Sequence, residues 1–229
     1  MISEALTPSD VQERTRTEKF CVNVADVLHA IAQPLTVLQV RLDETVAEAM
    51  DAAELRTLIA DSAQQVERLC NLFAFLQGFT VAYTVEPDLS EQDVSLMLEH
   101  VAEGMSLFYK EAKKTLRLRV PEGRHMVVVD QKRIYQALSR ILLVAFEVSL
   151  ANDAVELTGS PCNEGVRIVV RKMETYRALG KESALKLALA QANIERQGGK
   201  LTWTAEPFRV EIELRSARSS RRNGDGLHG

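Results

Sequence analysis

The sequence predicts an α+β protein in which an antiparallel helical hairpin is followed by an α/β sandwich, and three observations lead to this fold class. Two long segments, residues 17–50 and 51–78, repeat apolar residues at alternating spacings of three and four, as amphipathic helices do. After Pro87 the pattern changes to short alternating segments between helical ones. Apolar residues make up 46% of the 229-residue chain and charged residues 26%, which is ordinary for a soluble globular protein.

The first predicted helix spans residues 17–50 and follows a polar tail, residues 1–16, that we expect to be frayed. Its a/d seam consists of Val24, Leu28, Ile31, Leu35, Leu38 and Leu42. Asp51, with Glu54 three residues later, forms a capping-box pattern that predicts the start of the second helix. The apolar stripe of this helix consists of Leu55, Ile59, Ser62, Val66, Leu69, Phe73 and Leu76. Gly78 is predicted to end it.

Two helices of this kind, each roughly 40 Å long, form a ribbon that cannot bury its own apolar stripe. A second copy of the chain is the simplest source of the missing surface. We therefore expect residues 17–80 to form half of a four-helix bundle in a homodimer.

The second predicted domain covers residues 88–216, after a linker at residues 80–89 and before a solvated tail at residues 217–229. Its first predicted helix begins at Ser90 and Asp93 and runs to about Lys113, and strands follow at 115–120 and 126–129. A second helix runs from the cap Asp130 to about Leu150, followed by strands at 154–158 and 166–172 that a turn at 160–165 joins. A third helix is predicted at 183–197, and the last strands at 200–205 and 209–215.

Composition and charge exclude several classes of protein. The net charge of −4 argues against a nucleic-acid-binding protein, which would usually show a strongly basic face. No uninterrupted apolar run approaches the ~20 residues that cross a bilayer, and the polar start has no signal-peptide core, so we expect a cytoplasmic protein without a membrane partner. The scattered cysteines Cys21, Cys70 and Cys162 predict reduced thiols rather than disulfides or a zinc site.

His29 follows the seam residue Leu28, which places it at the edge of the apolar stripe where its ring reaches solvent. An imidazole with an unprotonated ring nitrogen is a competent nucleophile toward phosphorus. Pro34 lies five residues later inside the predicted helix, where it should bend the helix at a cost of about 3 kcal/mol. A histidine in a helix is more often structural or incidental, so this segment alone leaves both interpretations open.

Three segments of the sequence resemble motifs of the two-component histidine kinases. The segment Leu28-His29-Ala30-Ile31-Ala32-Gln33-Pro34-Leu35-Thr36 is similar to the H-box H-E-L-x-x-P-L-T. Asp130–Leu138 is similar to the start of the N-box helix of GHKL-type ATPase domains. The end of that domain is similar to Leu187–Ala190, Glu195 and Gly198–Leu201. It covers about residues 17–215. It implies a helical-hairpin dimerisation domain with His29 as the phospho-acceptor, followed by a Bergerat-type ATPase sandwich.

The sequence departs from this family where ATP should bind. Arg140 and Val144 stand at the N-box asparagine positions, and valine cannot bind Mg²⁺. The D-x-G-x-G motif and most of the ATP lid are absent after the strand at 166–172. Ala184 and Lys186 lie where a G-x-G-L motif should let phosphate approach the backbone. These departures predict a degenerate domain without a cofactor. Arg140 and Lys186 could still attract an anion, but we interpret both as solvated surface cations.

Two positions near His29 bear on its chemistry. Ala30 replaces the acidic residue that serves as a base in the kinases, so autokinase activity is not expected. Gln33 lies one helical turn after His29, and the resemblance allows it to position a water that dephosphorylates a partner, although an exposed helical glutamine explains it equally well.

The sequence leaves three interpretations of function. The first is a histidine phosphotransferase of a bacterial phosphorelay, in which His29 passes phosphoryl groups between receiver-domain aspartates. Its partners would be a response-regulator receiver domain, which supplies the Mg²⁺, and a hybrid kinase. The second is a non-catalytic pseudokinase that binds and sequesters a response regulator or kinase, which Ala30 favours. The third and least favoured is an active ATP-dependent histidine kinase.

Overall fold

The computed structural model describes residues 8–47, 51–163, 165–172 and 178–217. The chain divides into two compact units, residues 1–84 and 85–229. The first unit is an antiparallel helical hairpin, with α1 at Pro8–Ala47 and α2 at Ala52–Thr84. The second unit is an α/β sandwich. The predicted fold class of a helical hairpin followed by a mixed α/β domain is thus confirmed.

Both helices of the hairpin are longer than the sequence predicts. α1 begins at Pro8, so the prediction of a frayed tail is wrong for residues 8–16, and residues 1–7 lie outside the described part of the chain. α2 continues through Gly78 to Thr84, so the predicted stop is also wrong. A glycine inside a helix costs about 1 kcal/mol, and the burial of Phe79 and Ala82 in the next turn offsets it.

Residues at both ends of the hairpin fix the pairing of its helices. At the start of α2, Asp51 Oδ1 accepts hydrogen bonds from the backbone N–H groups of Ala53 and Glu54 at 2.8 and 2.9 Å, and the Glu54 carboxylate accepts one from the Asp51 N–H at 2.9 Å. The predicted capping box is therefore confirmed. At the other end, the Tyr83 hydroxyl accepts a hydrogen bond from the Asn23 amide at 3.1 Å.

The hairpin buries one side of each helix and leaves much of the predicted seam outside. α1 packs on α2 through Val27, Ile31 and Pro34, which are buried. Leu28 and Leu35, which belong to the predicted seam, are 54% and 50% exposed. The exposed large apolar residues of the two helices are Val22, Leu28, Leu35, Val37, Val40, Leu42, Leu55, Ile59, Val66, Phe73 and Val81. We call this set, taken from the side chains that the structure describes, the outer seam.

The second unit has a five-stranded sheet and a small two-stranded one. Its elements are β1 (Ser90–Asp93), α3 (Val94–Glu111), β2 (Thr115–Arg119), β3 (Met126–Val129), α4 (Gln131–Glu147), β4 (Ala154–Cys162), β5 (Gly165–Lys172), α5 (Lys181–Glu195), β6 (Lys200–Thr204) and β7 (Arg209–Arg215). The large sheet has the strand order β2-β4-β5-β7-β6, with β2 and β4 parallel and the other pairs antiparallel. β1 pairs with β3.

Apolar residues alternate along the strands and meet the helices on one face of the sheet. Ile168 and Val170 of β5 and Ile212 of β7 are fully buried in one core with Leu138 of α4 and Leu187 of α5. The intervening residues of β5 and β7 are mostly charged and face the open side of the sheet. The second unit is therefore a two-layer sandwich with α4 and α5 on the covered face.

Most strands agree with the predictions, but the first helix of the second unit begins later than predicted. Ser90 lies in β1 and does not begin a helix. Asp93 is the N-cap of α3, and its side chain accepts a hydrogen bond from the Ser95 N–H at 3.0 Å. β4 and β5 extend into the predicted turn at 160–165, where Gly165 lies so close to β7 that an added Cβ would be 1.9 Å from the Leu214 carbonyl oxygen. α4 ends at Glu147, earlier than predicted.

Candidate functional site: a surface histidine and a cleft crossed by charges

His29 lies on the solvent side of α1. His29 and Gln33 are exposed one turn apart, and Ala30 between them is half-buried. Pro34 is buried, and α1 continues through it without interruption. Among the residues that the structure describes, none forms a hydrogen bond or ion pair with the His29 ring, and no group of acidic, cysteine or histidine residues could hold a metal ion. The ring nitrogen of His29 is accessible to a partner protein.

The second cluster of predicted residues lies where α4 packs on α5, and its first members are on α4. Val144 is fully buried in the core. Arg140 is half-buried, and its Nη1 atom is buried with no hydrogen-bond partner in the described part of the chain. Burial lowers the pKa of Arg140. The interpretation of Arg140 as a solvated surface cation is therefore wrong, because α4 carries this position inward.

Lys186 is also engaged rather than solvated. Its side chain is only 17% exposed and forms an ion pair with Glu147, the last residue of α4. The Ser183 hydroxyl donates a hydrogen bond to the same carboxylate at 2.8 Å. The backbone N–H of Ala184 donates to the Gly180 carbonyl at 3.0 Å, within the first turn of α5. Glu147 thus ties α5 to α4 through two side chains, and the prediction of a free surface lysine is wrong.

A buried ion pair closes the end of β5. The side chain of Lys172 is 1% exposed, and its Nζ atom lies 2.9 Å from Asp153 Oδ2. The same ammonium donates a hydrogen bond to the Val148 carbonyl at 3.0 Å, just beyond α4. Burial alone would raise the pKa of Asp153, but its hydrogen bonds to Lys172 and the Leu150 N–H and the nearby lysine charges lower it instead. The Asp153 carboxylate is thus ionised at neutral pH.

We call the region between α4, α5 and the end of β5 the nucleotide cleft, because the resemblance places ATP there. Two ion pairs within the chain lie in this region, Lys186 with Glu147 and Lys172 with Asp153, whereas Arg140 has no ion-pair partner among the described residues. Lys172 ends the strand after which the resemblance places the adenine-reading aspartate, and Glu147 and Lys186 lie on facing helices. The residues after Lys172, where the short lid is predicted, fall at 173–177, outside the described part of the chain. Of the predicted residues, Arg140 and Val144 lie on α4, and Ala184 and Lys186 lie on α5, which packs on α4.

Sequence reasoning missed Glu147, Ser183, Asp153 and the role of Lys172. Glu147 and Lys186 are 39 residues apart, so no helical or strand spacing connects them. The only sequence signal is that α4 ends in an acidic residue and the first turns of α5 contain a basic one. Without the fold, that coincidence cannot be distinguished from ordinary surface charge.

One part of α1 also has the length and composition of a membrane-spanning helix. The segment Arg14–Thr45 reaches a mean hydropathy of 1.4 over a window of 18 residues with at most two charges. A bundle helix with two apolar contact sides passes the same test, because its outer seam adds to its buried residues. The cytoplasmic location of the chain stays a prediction.

Comparison with known proteins gives matches in structure only. No protein-family model matches the sequence, and no curated protein matches it. The structure is similar to the histidine kinase ThkA in its complex with the response regulator TrrA, with a TM-score of 0.70, 18% identity, and coverage of 97% of this chain and 70% of that one. It is similar to the Acinetobacter baumannii histidine kinase AdeS, with a TM-score of 0.62, 19% identity, and coverage of 82% and 98%.

Full-length ShkA in complex with AMPPNP is a third match, with a TM-score of 0.56 and 18% identity. That match covers 93% of this chain and 47% of ShkA, so this chain spans about half of that protein. At these identities the similarity is one of fold. Together with the geometry above, it shows that the chain has the fold of a histidine-kinase core, a helical hairpin followed by a GHKL-type ATPase domain.

Proposed function

We propose that this protein is a histidine phosphotransferase of a two-component phosphorelay, which passes phosphoryl groups through His29 without binding ATP. The observation that carries the proposal is the contrast between an accessible His29 and a nucleotide cleft crossed by the chain's own ion pairs. A phosphotransferase of this kind needs a surface imidazole on a rigid helix, and it needs no nucleotide.

The transfer step requires little from the chain beyond position. An unprotonated ring nitrogen of His29 attacks the phosphorus of a receiver's aspartyl phosphate, the N–P bond forms, and the carboxylate leaves with the electrons of the broken O–P bond. The receiver domain supplies the acidic pocket and its Mg²⁺. Transfer to a second receiver is the reverse of this step. The absence of an acid at Ala30 is tolerable here, because an acyl phosphate is a more reactive donor than ATP.

The charges in the cleft support the loss of ATP binding. A nucleotide between α4 and α5 would have to break the contacts of Glu147 with Ser183 and Lys186, and its phosphates would face that carboxylate. Its base would have to displace Lys172 from a buried pair with Asp153. Breaking one buried ion pair typically costs about 3–5 kcal/mol, a large fraction of the binding free energy of a micromolar ligand.

A receiver domain is the partner that this fold favours, since the structure of ThkA with a response regulator is among the matches. The outer seam supports a homodimer, because its apolar residues lie on both helices and a second hairpin would remove them from water. A four-helix bundle would hold α1 rigid and keep His29 at its surface. A hybrid kinase carrying its own receiver is the expected upstream donor.

The test of the proposal is transfer of label from a phosphorylated receiver. The wild-type protein is incubated with a panel of receivers that carry radiolabelled phosphate, and acid-labile label on the chain is measured. Label is expected on the wild type and not on His29→Ala. His100→Ala is the matched control, because His100 is an exposed histidine on α3 in the other unit. Equal labelling of the wild type and His29→Ala would contradict the proposal.

Three further measurements test ATP binding, the role of Gln33 and the sequestration of a receiver. Calorimetry with Mg-ATP should give no binding heat, and tight binding would instead favour an ATP-dependent kinase. Gln33→Ala should slow the loss of label from the phosphorylated receiver if Gln33 positions the hydrolytic water. It should not change that rate if Gln33 is an ordinary surface glutamine. Ala30 favours one alternative, a pseudokinase that sequesters a response regulator. That function would appear as receiver binding that is equal in the wild type and His29→Ala, with no label on either protein.

A further inference from the structure

The outer edge of β2 presents unpaired backbone groups. Within the part of the chain that the structure describes, β2 is the end strand of the large sheet and pairs on one side only, with β4. The Thr115 N–H donates to the Asp153 carbonyl at 2.9 Å, and the Lys113 carbonyl accepts from the Asn152 N–H at 2.9 Å, so the backbone of odd-numbered residues points toward β4. Because backbone direction alternates along a strand, the N–H and C=O groups of Leu116 and Leu118 point outward.

A groove of about 820 Å³ runs along this edge between β2 and α3. Leu116 and Leu118 are half-buried, pack against the main core and form part of its apolar floor with Ala102. Charged residues also line the groove, among them Glu99, Glu103, Lys110 and Lys113. Edge strands are commonly protected by charged side chains, and β2 carries Arg117 and Arg119 on one face only. On the other face, Leu116 and Leu118 lie over an open groove.

Charge around the edge selects what can lie there. Arg117 is exposed on the opposite face of β2, beside the same unpaired edge. The register partner of Arg117 on β4 is the buried Glu156, whose carboxylate already pairs with Arg119 at 3.5 Å and Arg171 at 2.7 Å. Exposed Lys110 and Lys113 mark the end of the groove near Thr115. An added strand would therefore place apolar side chains in the groove and acidic side chains beside Arg117.

We propose that the β2 edge is a docking site for an extended peptide segment of a partner protein that alternates apolar and acidic residues. The segment would add a sixth strand to the sheet through the backbone of Leu116 and Leu118. A second copy of β2 fits poorly, because antiparallel pairing would set Arg117 and Arg119 of one chain beside those of the other. This docking site is independent of His29 and of the nucleotide cleft.

The test uses a fluorescein-labelled peptide that alternates valine with glutamate over about seven residues, the length of an ordinary strand. Fluorescence anisotropy measures its binding to the full chain. Saturable binding is expected, with a dissociation constant at least tenfold higher for Arg117→Glu. The matched control is Lys200→Glu, which makes the same change of charge on β6, the opposite edge strand. Lys200→Glu should leave the affinity unchanged.

A peptide of the same sequence with every backbone nitrogen methylated tests the pairing itself. It keeps the side chains but cannot donate to β2, so its binding should be lost. Four outcomes would overturn the proposal: no binding of the unmethylated peptide, equal binding of the methylated one, equal weakening by Arg117→Glu and Lys200→Glu, or a change of oligomeric mass caused by Arg117→Glu in light scattering. The last result would assign the edge to a second copy of the chain.

Discussion

Replacement of Lys172 by methionine is expected to destabilise the second unit by about 3–5 kcal/mol. Methionine fills a similar apolar volume but removes the ammonium that lies 2.9 Å from Asp153 Oδ2 and donates to the Val148 carbonyl at 3.0 Å. At an effective dielectric constant of about 20, two charges at that distance attract by about 6 kcal/mol, and the variant loses this attraction. Part of the loss is offset because methionine, unlike lysine, has no charge to remove from water on folding. The Asp153 carboxylate would keep the Leu150 N–H as a hydrogen-bond donor, at 2.6 Å.

The measurement is urea unfolding followed by the fluorescence of Trp203, the single tryptophan of the chain. Trp203 lies in β6, so its signal reports on the second unit alone. With a slope of about 2–3 kcal/mol per molar urea, the unfolding midpoint should fall by about 1–2 M. The control is the double variant Asp153→Asn with Lys172→Met, which removes both charges and should recover a large part of the loss.

The cost of Lys172→Met should also depend on pH. In the wild type the pKa of Asp153 is held below its usual value of about 3.9, so the pair stabilises the fold above that pH and is lost as the pH falls through the lower folded pKa. In the variant the unpaired carboxylate is costly only while it is ionised. Without Lys172, burial raises the pKa of this carboxyl, so the difference between the two proteins should begin to shrink above about pH 4 and continue to shrink as the pH falls further. A loss under about 1 kcal/mol, or a double variant as unstable as the sum of the single ones, would refute this reasoning.

Three further perturbations test other features of the fold. Asp51→Ala removes the N-cap of α2 and should cost about 1 kcal/mol, measured by thermal melting of helical circular dichroism, with Asp51→Asn as the control that keeps the cap. Tyr109→Phe removes a buried 2.6 Å hydrogen bond to the Leu142 carbonyl and should cost about 1 kcal/mol of stability. Because burial raises the pKa of Tyr109, the wild type should lose stability as the pH rises above about 10, and the variant should lose less stability over the same range. Gly165→Ala would place a Cβ 1.9 Å from the Leu214 carbonyl oxygen, so it should speed the hydrogen exchange of β5 and β7 backbone amides several-fold more than Gly180→Ala, where an added Cβ meets no atom within 4 Å.

The features predicted correctly from the sequence are those with local signals. The Asp51 capping box lies within four residues of sequence, the bounds of β3 follow from a short apolar run, and those of β7 follow from an alternating run. β1 has the polar sequence SEQD with no alternation, and it is a strand only because β3 pairs with it. Gly78 was misread because the burial of Phe79 in the following turn, a tertiary effect, outweighs a weak helical propensity.

The candidate site divides in the same way. His29 and its exposure follow from helical periodicity, and Arg140, Val144, Ala184 and Lys186 could be aligned to motif positions. Their surroundings could not be predicted. An arginine or lysine in a sequence has no indication of its partner, and Lys186 meets a carboxylate that belongs to another helix. Whether such a cation is solvated or internal is decided by the packing of α4 on α5.

The contacts of Glu147 with Ser183 and Lys186 have a consequence for how the second unit responds to the cell. A fold whose helix is held by a bound metabolite gains stability by mass action and loses it when the metabolite is depleted. The partners of Glu147 are part of the same chain, so their effective concentration never changes. The attachment of α5 to α4 through these side chains therefore does not depend on the concentration of a metabolite.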